Sequence, residues 1–325
     1  MTVVIGTDEA GYGPNLGPLV VAASVWEVDG ATADVDDTLA AALATAAAAA
    51  GGSARLWADS KQVYKSGAAR GGQGLAALEQ GALTAIAMAT RCVPEGWHAL
   101  AESLGIEPDA GGVPEWPLLA STPLPRAIDA AACRATADRV RDALATAGAA
   151  LRGVACRVIQ PRRFNALLAA GLNKSDILSQ TTLALAAETL ASARGGRTGE
   201  PAVVWCDRHG GRKAYAPLVA RHFDCPLVQP LAETASHSAY DVPAAACRVE
   251  FSVGGERRGP VALASMTAKY VRELAMHAFN EWWGGRSPGL AATAGYPVDA
   301  ARWRRDAAAA IRAAAIAEDD LWRRA

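Results

Sequence analysis

Lysine is scarce in this chain. Five lysines (Lys61, Lys65, Lys174, Lys213 and Lys269) stand among 32 basic residues, so arginine is the default cation. A basic excess is missing as well: 33 acidic residues leave a formal net charge of −1, without the overall positive field common in nucleic-acid-binding domains. A local basic patch is still compatible with that balance. Cys92, Cys133, Cys156, Cys206, Cys225 and Cys247 lie far apart and include no C-x-x-C pair, which argues against a disulfide framework and a cysteine zinc site. Free thiols in a reducing cytoplasm are the expectation. No apolar run is long enough to span a bilayer, and the first residues lack the basic-then-apolar layout of a secretory leader, so no membrane partner is expected. There is no internal repeat. What remains is a chain of 325 residues, 51% hydrophobic and 20% charged, long enough for one large or two average globular domains.

Strands and helices alternate along it. Residues 2–7 read as a short buried strand, a loop with three glycines and two prolines covers 8–18, and Leu19 to Val28 reads as a second strand. Residues 37–50 form an Ala-rich helix, and a helix is expected to open at Asp59 or Ser60. Residues 75–91 suit helix or strand. Six prolines between 94 and 125 predict irregular chain, and 129–149 reads as a helix with a polar face. Beyond that lie strands at 154–159, 202–206 and 226–229, and a helix at 179–194. A late hairpin is expected to pair 247–253 with 260–264 around Gly254-Gly255, followed by a helix at 267–283 and a helical tail at 299–324. This is an α/β or α+β pattern with a mixed sheet.

Three acidic features stand apart from the surface background. Asp8 and Glu9 follow the first apolar strand, Asp207 follows Val203-Val204-Trp205-Cys206, and Glu273 lies one helical turn past Lys269. A carboxylate at a strand end is held on a rigid element and still reaches solvent. Neighbours on a regular strand point to opposite faces, so Asp8 and Glu9 are expected to share a site only if the Gly11–Gly13 segment bends the chain. Carboxylates converging without His or Cys make an oxygen-only site suited to Mg²⁺ or Mn²⁺, and a pair of such ions hydrolyses phosphodiesters. Composition and spacing leave a plainer reading beside this one, in which each acid caps a helix or faces water.

A resemblance adds to these observations. Asp8-Glu9-Ala10-Gly11-Tyr12-Gly13-Pro14, closed by Gly17-Pro18-Leu19-Val20-Val21, resembles the opening motif of type 2 ribonuclease H, the family of ribonucleases HII and HIII. Asp59-Ser60-Lys61 looks like its Asp-Ser-Lys segment, and Asn173-Lys174 with Ser179-Gln180-Thr181 is similar to the entry to its central helix. Ala264-Ser265-Met266-Thr267-Ala268-Lys269-Tyr270-Val271-Arg272-Glu273 looks like its Ala-Ser-Ile-x-Ala-Lys-x-x-Arg-Asp run, and Gly295-Tyr296-Pro297 resembles a late Gly-Tyr-Pro element. The resemblance implies a ribonuclease H-like α/β fold, a mixed five-stranded sheet flanked by helices. Residues 66–150 would be a helical, Pro-rich insertion and 298–325 a helical tail.

In function it implies hydrolysis of the RNA strand of RNA–DNA hybrids with two Mg²⁺ or Mn²⁺ ions, leaving a 3′-hydroxyl and a 5′-phosphate. Asp8, Glu9, Asp207 and Glu273 would be the catalytic metal ligands. Gly11, Tyr12 and Gly13 would contact substrate, with loop amides reading the 2′-hydroxyl. Lys61 and Lys269 would face the phosphate backbone or support the acids, and Tyr296 would pack on a sugar.

The chain also departs from the family pattern. Tyr12 replaces an arginine that senses the RNA–DNA junction, and Glu273 replaces an aspartate, as in ribonuclease HIII. With the motif beginning at residue 8, an HIII-type substrate-binding domain ahead of it is not expected. The stretch between Asp207 and Glu273 is long. Two alternatives follow: a nucleic-acid-binding protein on this fold with weak or no catalysis, or a nuclease for another structured nucleic acid. No protein partner is evident. His209 and His277, near Asp207 and Glu273, are candidate proton shuttles or ordinary solvated histidines. Arg208, Arg212 and Lys213 are candidate phosphate contacts, and Arg302, Arg304 and Arg305 around Trp303 a candidate basic-aromatic patch or a helix face covering the core.

Overall fold

A computed structural model describes residues 1–51, 56–57, 73–107, 113–197 and 199–324. Asp59-Ser60-Lys61, and with it the expected contact from Lys61, lies outside the described residues. Strand β1 (Thr2–Ala10) pairs antiparallel with β2 (Leu19–Val28), which pairs antiparallel with β3 (Ala149–Ile159). On its other side β1 pairs parallel with β4 (Ala202–Asp207). Both β1 and β2 are apolar on both faces because both faces are covered, the pattern of central strands. Val4, Val20 and Trp26 enter one core with α1 (Val35–Ala49), α2 (Gln73–Thr90), α5 (Ala130–Thr146) and α9 (Gly259–Gly284). Val3, Ile5 and Val21 enter a second core with α6 (Pro161–Ala169), α7 (Lys174–Arg194) and α8 (Ala216–His222). The short helices α3 (Trp97–Ser103) and α4 (Trp116–Ala120) lie in the proline-rich stretch, and the described parts of 66–150 contribute Leu78, Leu83, Ile86 and Val140 to the first core.

The α/β class holds, but among the described residues the sheet has seven strands rather than five: beyond β4 lie β7 (Cys247–Ser252), β6 (His237–Val242) and β5 (Gln229–Glu233), in the order β3-β2-β1-β4-β7-β6-β5. The two extra strands are β5 and β6, a hairpin added beyond β7. His237, Ser238 and Asp241 obscure the strand pattern of β6, and pairing with β7 buries Ala239, Tyr240 and Val242. The expected strand at 226–229 lies instead at the exposed edge, 229–233.

The expected hairpin partner at 260–264 is not a strand. It is the first part of α9, which starts at Gly259 rather than Thr267. Pro260 suits a first helical turn, and Val261-Ala262-Leu263-Ala264 is buried all round, where an apolar run carries no periodicity to tell helix from strand. The expected tail helix is broken into α10 (Pro297–Asp306), α11 (Ala308–Ala314) and α12 (Glu318–Leu321), and Trp303 with Phe279, Trp283 and Leu16 fills a third, smaller core.

Gly6 lets α9 sit directly on β1. A Cβ there would overlap the Pro260 backbone and come within 2.5 Å of Val261 N, with no flexible side chain to yield. Gly6→Ala is expected to destabilise the protein by about 3 kcal/mol, the upper end of overpacking effects, read from the midpoint of denaturant unfolding.

Candidate metal and nucleic-acid site

Because β1 and β4 run parallel, their carboxyl ends meet on one edge of the sheet. The register that sets Thr7 beside Cys206 brings Asp8 and Asp207 to that edge together. Glu9 is still in regular register opposite Val21, so it is not swung back by the glycines. Asp8 and Glu9 both line the cleft because it lies across the end of the sheet. The bend comes two residues after Glu9, at Gly11, where φ is +87° and a Cβ would press on Pro18 O and the Arg272 side chain.

Helix α9 forms the opposite wall. Ser265, Lys269 and Glu273 recur every four residues, a polar stripe on a helix buried over most of its first five turns. A cleft of about 300 Å³ is lined by Asp8, Glu9, Gly11, Tyr12, Gly13, Asp207, Lys269, Glu273 and Tyr296, and also by Glu256 and Arg272. The predicted site residues within the described chain thus share one cleft.

Glu256 is the residue that sequence reasoning missed. It sits in the short 3₁₀ turn between β7 and α9, is buried, and its Oε1 accepts hydrogen bonds from Ser265 Oγ (2.7 Å) and Lys269 Nζ (3.3 Å). Lys269 therefore supports an acid. The same turn reaches Asp207, whose Oδ1 accepts from Gly255 N (2.8 Å). Asp8 Oδ1 accepts from Glu9 N (2.7 Å).

Burial, and then the neighbouring carboxylates of Glu9, Asp207 and Glu256, push the Asp8 carboxyl well above the usual range, and the Ser265 hydroxyl offsets part of this. Burial and Asp207 push Glu9 up to about 7, against opposing pulls from Asp8 and Lys269. Among the described residues the lining holds five carboxylates against two cations and no histidine or cysteine, which fits a hard divalent cation. No three potential ligand side chains among the described residues are gathered closely enough to hold a metal ion; the acids stand around the cleft.

Tyr12 and Tyr296 supply the aromatic side of the cleft. Tyr296 is 46% exposed at the rim, beside Gly13. Tyr12 stands where the family pattern has arginine, and Lys174 Nζ lies 4.7 Å from its ring centroid, so a cation stands beside the aromatic ring. Lys174 opens α7, whose first turn is fixed by the Asn173–Asp176 capping box.

The other candidates lie elsewhere. His209 is buried away from the cleft, 3.0 Å from Ser179 Oγ and edge-on to Tyr215 and Phe251; burial, then Arg212, lowers it to about 3, so it stays neutral. His277 is exposed beside Arg126 and Glu281. Arg208 is spent on the carbonyls of Arg212, Thr234 and Ala235, and Arg212 on Ser175 and Asp176. Lys213 is exposed outside the cleft. Trp303 is core, with Arg302 paired to Asp299 and Asp306 and Arg304 to Glu318, which is the helix-face reading of that cluster.

No protein-family model matches this chain, and no curated protein matches it. Among solved structures it is similar to one of the PCNA–RNase HII complex from Archaeoglobus fulgidus, at 14% identity and a TM-score of 0.43, over 99% of this chain and 94% of that one. It is similar to Bst-RNase HIII in complex with Mn²⁺, at 18% identity and a TM-score of 0.40, over 94% of this chain and 62% of that one. Ribonuclease H2 from Pyrococcus horikoshii OT3 matches at 12% identity and a TM-score of 0.41, over 98% and 92%.

Proposed function

We propose that this chain is a metal-dependent endoribonuclease of the type 2 ribonuclease H kind, which hydrolyses the RNA strand of RNA–DNA hybrids. The observation that carries the reading is the convergence of Asp8, Glu9, Asp207 and Glu273, from two parallel strand ends and one helix, on a cleft with an excess of carboxylates. Those four would hold Mg²⁺ or Mn²⁺. When bound, such ions supply an activated water and stabilise the leaving oxygen. The protein's own part is positional. Gly255 N fixes the Asp207 carboxylate, Glu256 holds Lys269 against the acids, and Tyr296 offers its ring to a sugar at the rim.

The pairing of Lys174 with Tyr12 supplies charge but not the planar fork of an arginine, so the reading favours a uniform hybrid over a duplex with one embedded ribonucleotide. Cleavage of both substrates, measured side by side with Mg²⁺ and with Mn²⁺, tests this. RNA-strand cutting of the uniform hybrid supports the reading. Tight binding to both without cutting points to a non-catalytic binding protein, and cutting only of another structured nucleic acid overturns the substrate. Glu256→Gln, which loosens the hold on Ser265 and Lys269 beside the acids, is expected to lower hybrid cleavage by about tenfold, the scale of losing an outer-shell contact at a metal site, in initial-rate assays.

A further inference from the structure

Arg323 lies far from the acids in sequence, yet its guanidinium sits directly behind the Gly11–Asn15 loop. The residue is 1% exposed. Its Nη2 donates to Gly11 O (2.6 Å) and to Pro14 O, and its guanidinium lies over the Phe164 ring. The segment carrying it is tied to the same loop through the backbone. Arg323 N donates to Asn15 O (2.8 Å), Asn15 Nδ2 donates to Arg323 O (3.0 Å), and Leu16 bridges Trp322. From behind, buried Asn165 on α6 clamps the segment by donating to Trp322 O (2.7 Å) and accepting from Arg324 N (2.9 Å).

The loop's other side is held by Gly295 O, which accepts from Asn15 N (2.8 Å). Arg323 itself does not line the cleft, whereas Gly11, Tyr12 and Gly13 do.

Peptide geometry turns this clamp into a statement about the cleft. In a trans peptide the N–H of one residue points opposite to the carbonyl before it. Drawing Gly11 O back toward Arg323 therefore directs Tyr12 N–H away from Arg323. A neutral donor would also satisfy two carbonyls. A buried guanidinium adds positive charge at the back of the loop, beside the like-charged Arg272 and Lys174, an arrangement that suits an anionic ligand in front.

We propose that Arg323 is a positioning residue: by holding the Gly11 and Pro14 carbonyls, it turns the Tyr12 amide into the cleft as a donor for an oxygen of the nucleic-acid backbone. The proposal rests on the hybrid-cleaving reading for its ligand, but not for the loop geometry.

The test compares the parent with Arg323→Ala, Arg323→Lys and Asn165→Ala. Three quantities are measured: amide hydrogen exchange across residues 11–16, Mn²⁺ affinity by calorimetry, and kcat and KM on a uniform hybrid. Arg323→Ala is expected to speed exchange in the loop and raise KM about tenfold, the scale of losing an outer-shell partner, with Mn²⁺ affinity held within about twofold. Arg323→Lys is expected to recover part of both effects. Asn165→Ala, which loosens the segment while keeping the guanidinium, is expected to speed loop exchange less, and it carries the test if Arg323→Ala does not fold.

Unchanged loop exchange and KM in Arg323→Ala would overturn the proposal. So would an equal loss of Mn²⁺ affinity, or a lysine variant no better than alanine, since each marks a merely structural role. If the parent cleaves no hybrid, the functional reading fails on that result alone, and loop exchange still decides the role of Arg323.

Discussion

Asp8→Asn is expected to yield a folded protein that has lost metal-dependent hydrolysis by at least about 10³-fold, roughly 4 kcal/mol of transition-state stabilisation. The substitution keeps the shape of the side chain and removes one of the charges that would hold the ions. The same environment predicts the effect on stability. Asp8 is buried and crowded by Glu9, Asp207 and Glu256, so its charge opposes folding when no cation is bound. In chelator the thermal midpoint of the variant is therefore expected at or above that of the parent. With Mn²⁺ present the order reverses, because a cation that binds the native parent stabilises it. Full activity in Asp8→Asn, or a large loss of stability in chelator, contradicts the role assigned to this carboxylate.

The largest effect on folding is expected far from the cleft, at Glu79. This side chain is fully buried on α2. Its Oε1 accepts from Arg126 N (2.9 Å) and Tyr270 Oη (2.7 Å), and its Oε2 from Ala127 N (2.6 Å) and Ile128 N (3.2 Å). It fastens the chain leading into α5 to the middle of α9. Burial, then the Glu79 charge, pushes the Tyr270 hydroxyl upward, so it remains a donor. Glu79→Ala leaves three backbone N–H groups and one hydroxyl without their acceptor. At about 1 kcal/mol or more for each, the expected loss is about 4 kcal/mol, a large part of the stability of an ordinary domain. Glu79→Gln keeps one acceptor oxygen and is expected to lose about half as much. Urea unfolding of both variants, with the slope checked against the parent, measures this; two midpoints within experimental scatter of the parent would show that the clamp is not needed.

Much of the site was legible because its residues follow strong local signals. Asp8, Glu9 and Asp207 end short runs that are apolar on both faces, here central strands of the sheet. Lys269 and Glu273 were legible as neighbours on a helix face, whereas Ser265 lay before the expected start of that helix. Glu256 was not legible, because its position depends on a misread element: with 260–264 taken as the second arm of a hairpin, Gly254–Arg258 reads as a solvent turn. Once α9 begins at Gly259, that turn is the tight passage from β7 into the helix, and the acid falls beside Asp8. An acid a few residues past an apolar strand, followed after nine residues by a serine on a buried helix, was the available signal. Strand β6 was missed because a strand with polar ends looks like loop until its partner is known. Glu79, Arg323 and the Lys174–Tyr12 pair lie beyond local reading altogether, since their partners are 47, 312 and 162 residues away in the chain.

The most direct measurement is incubation of the parent protein with a uniform RNA–DNA hybrid labelled on the RNA strand, with Mg²⁺ or Mn²⁺ and in chelator, followed by analysis of the cut ends. The expected result is metal-dependent scission of the RNA strand alone, leaving 3′-hydroxyl and 5′-phosphate termini, with none in chelator. An intact RNA strand with either metal, or equal scission in chelator, would contradict a carboxylate-held metal centre as the working part of this molecule.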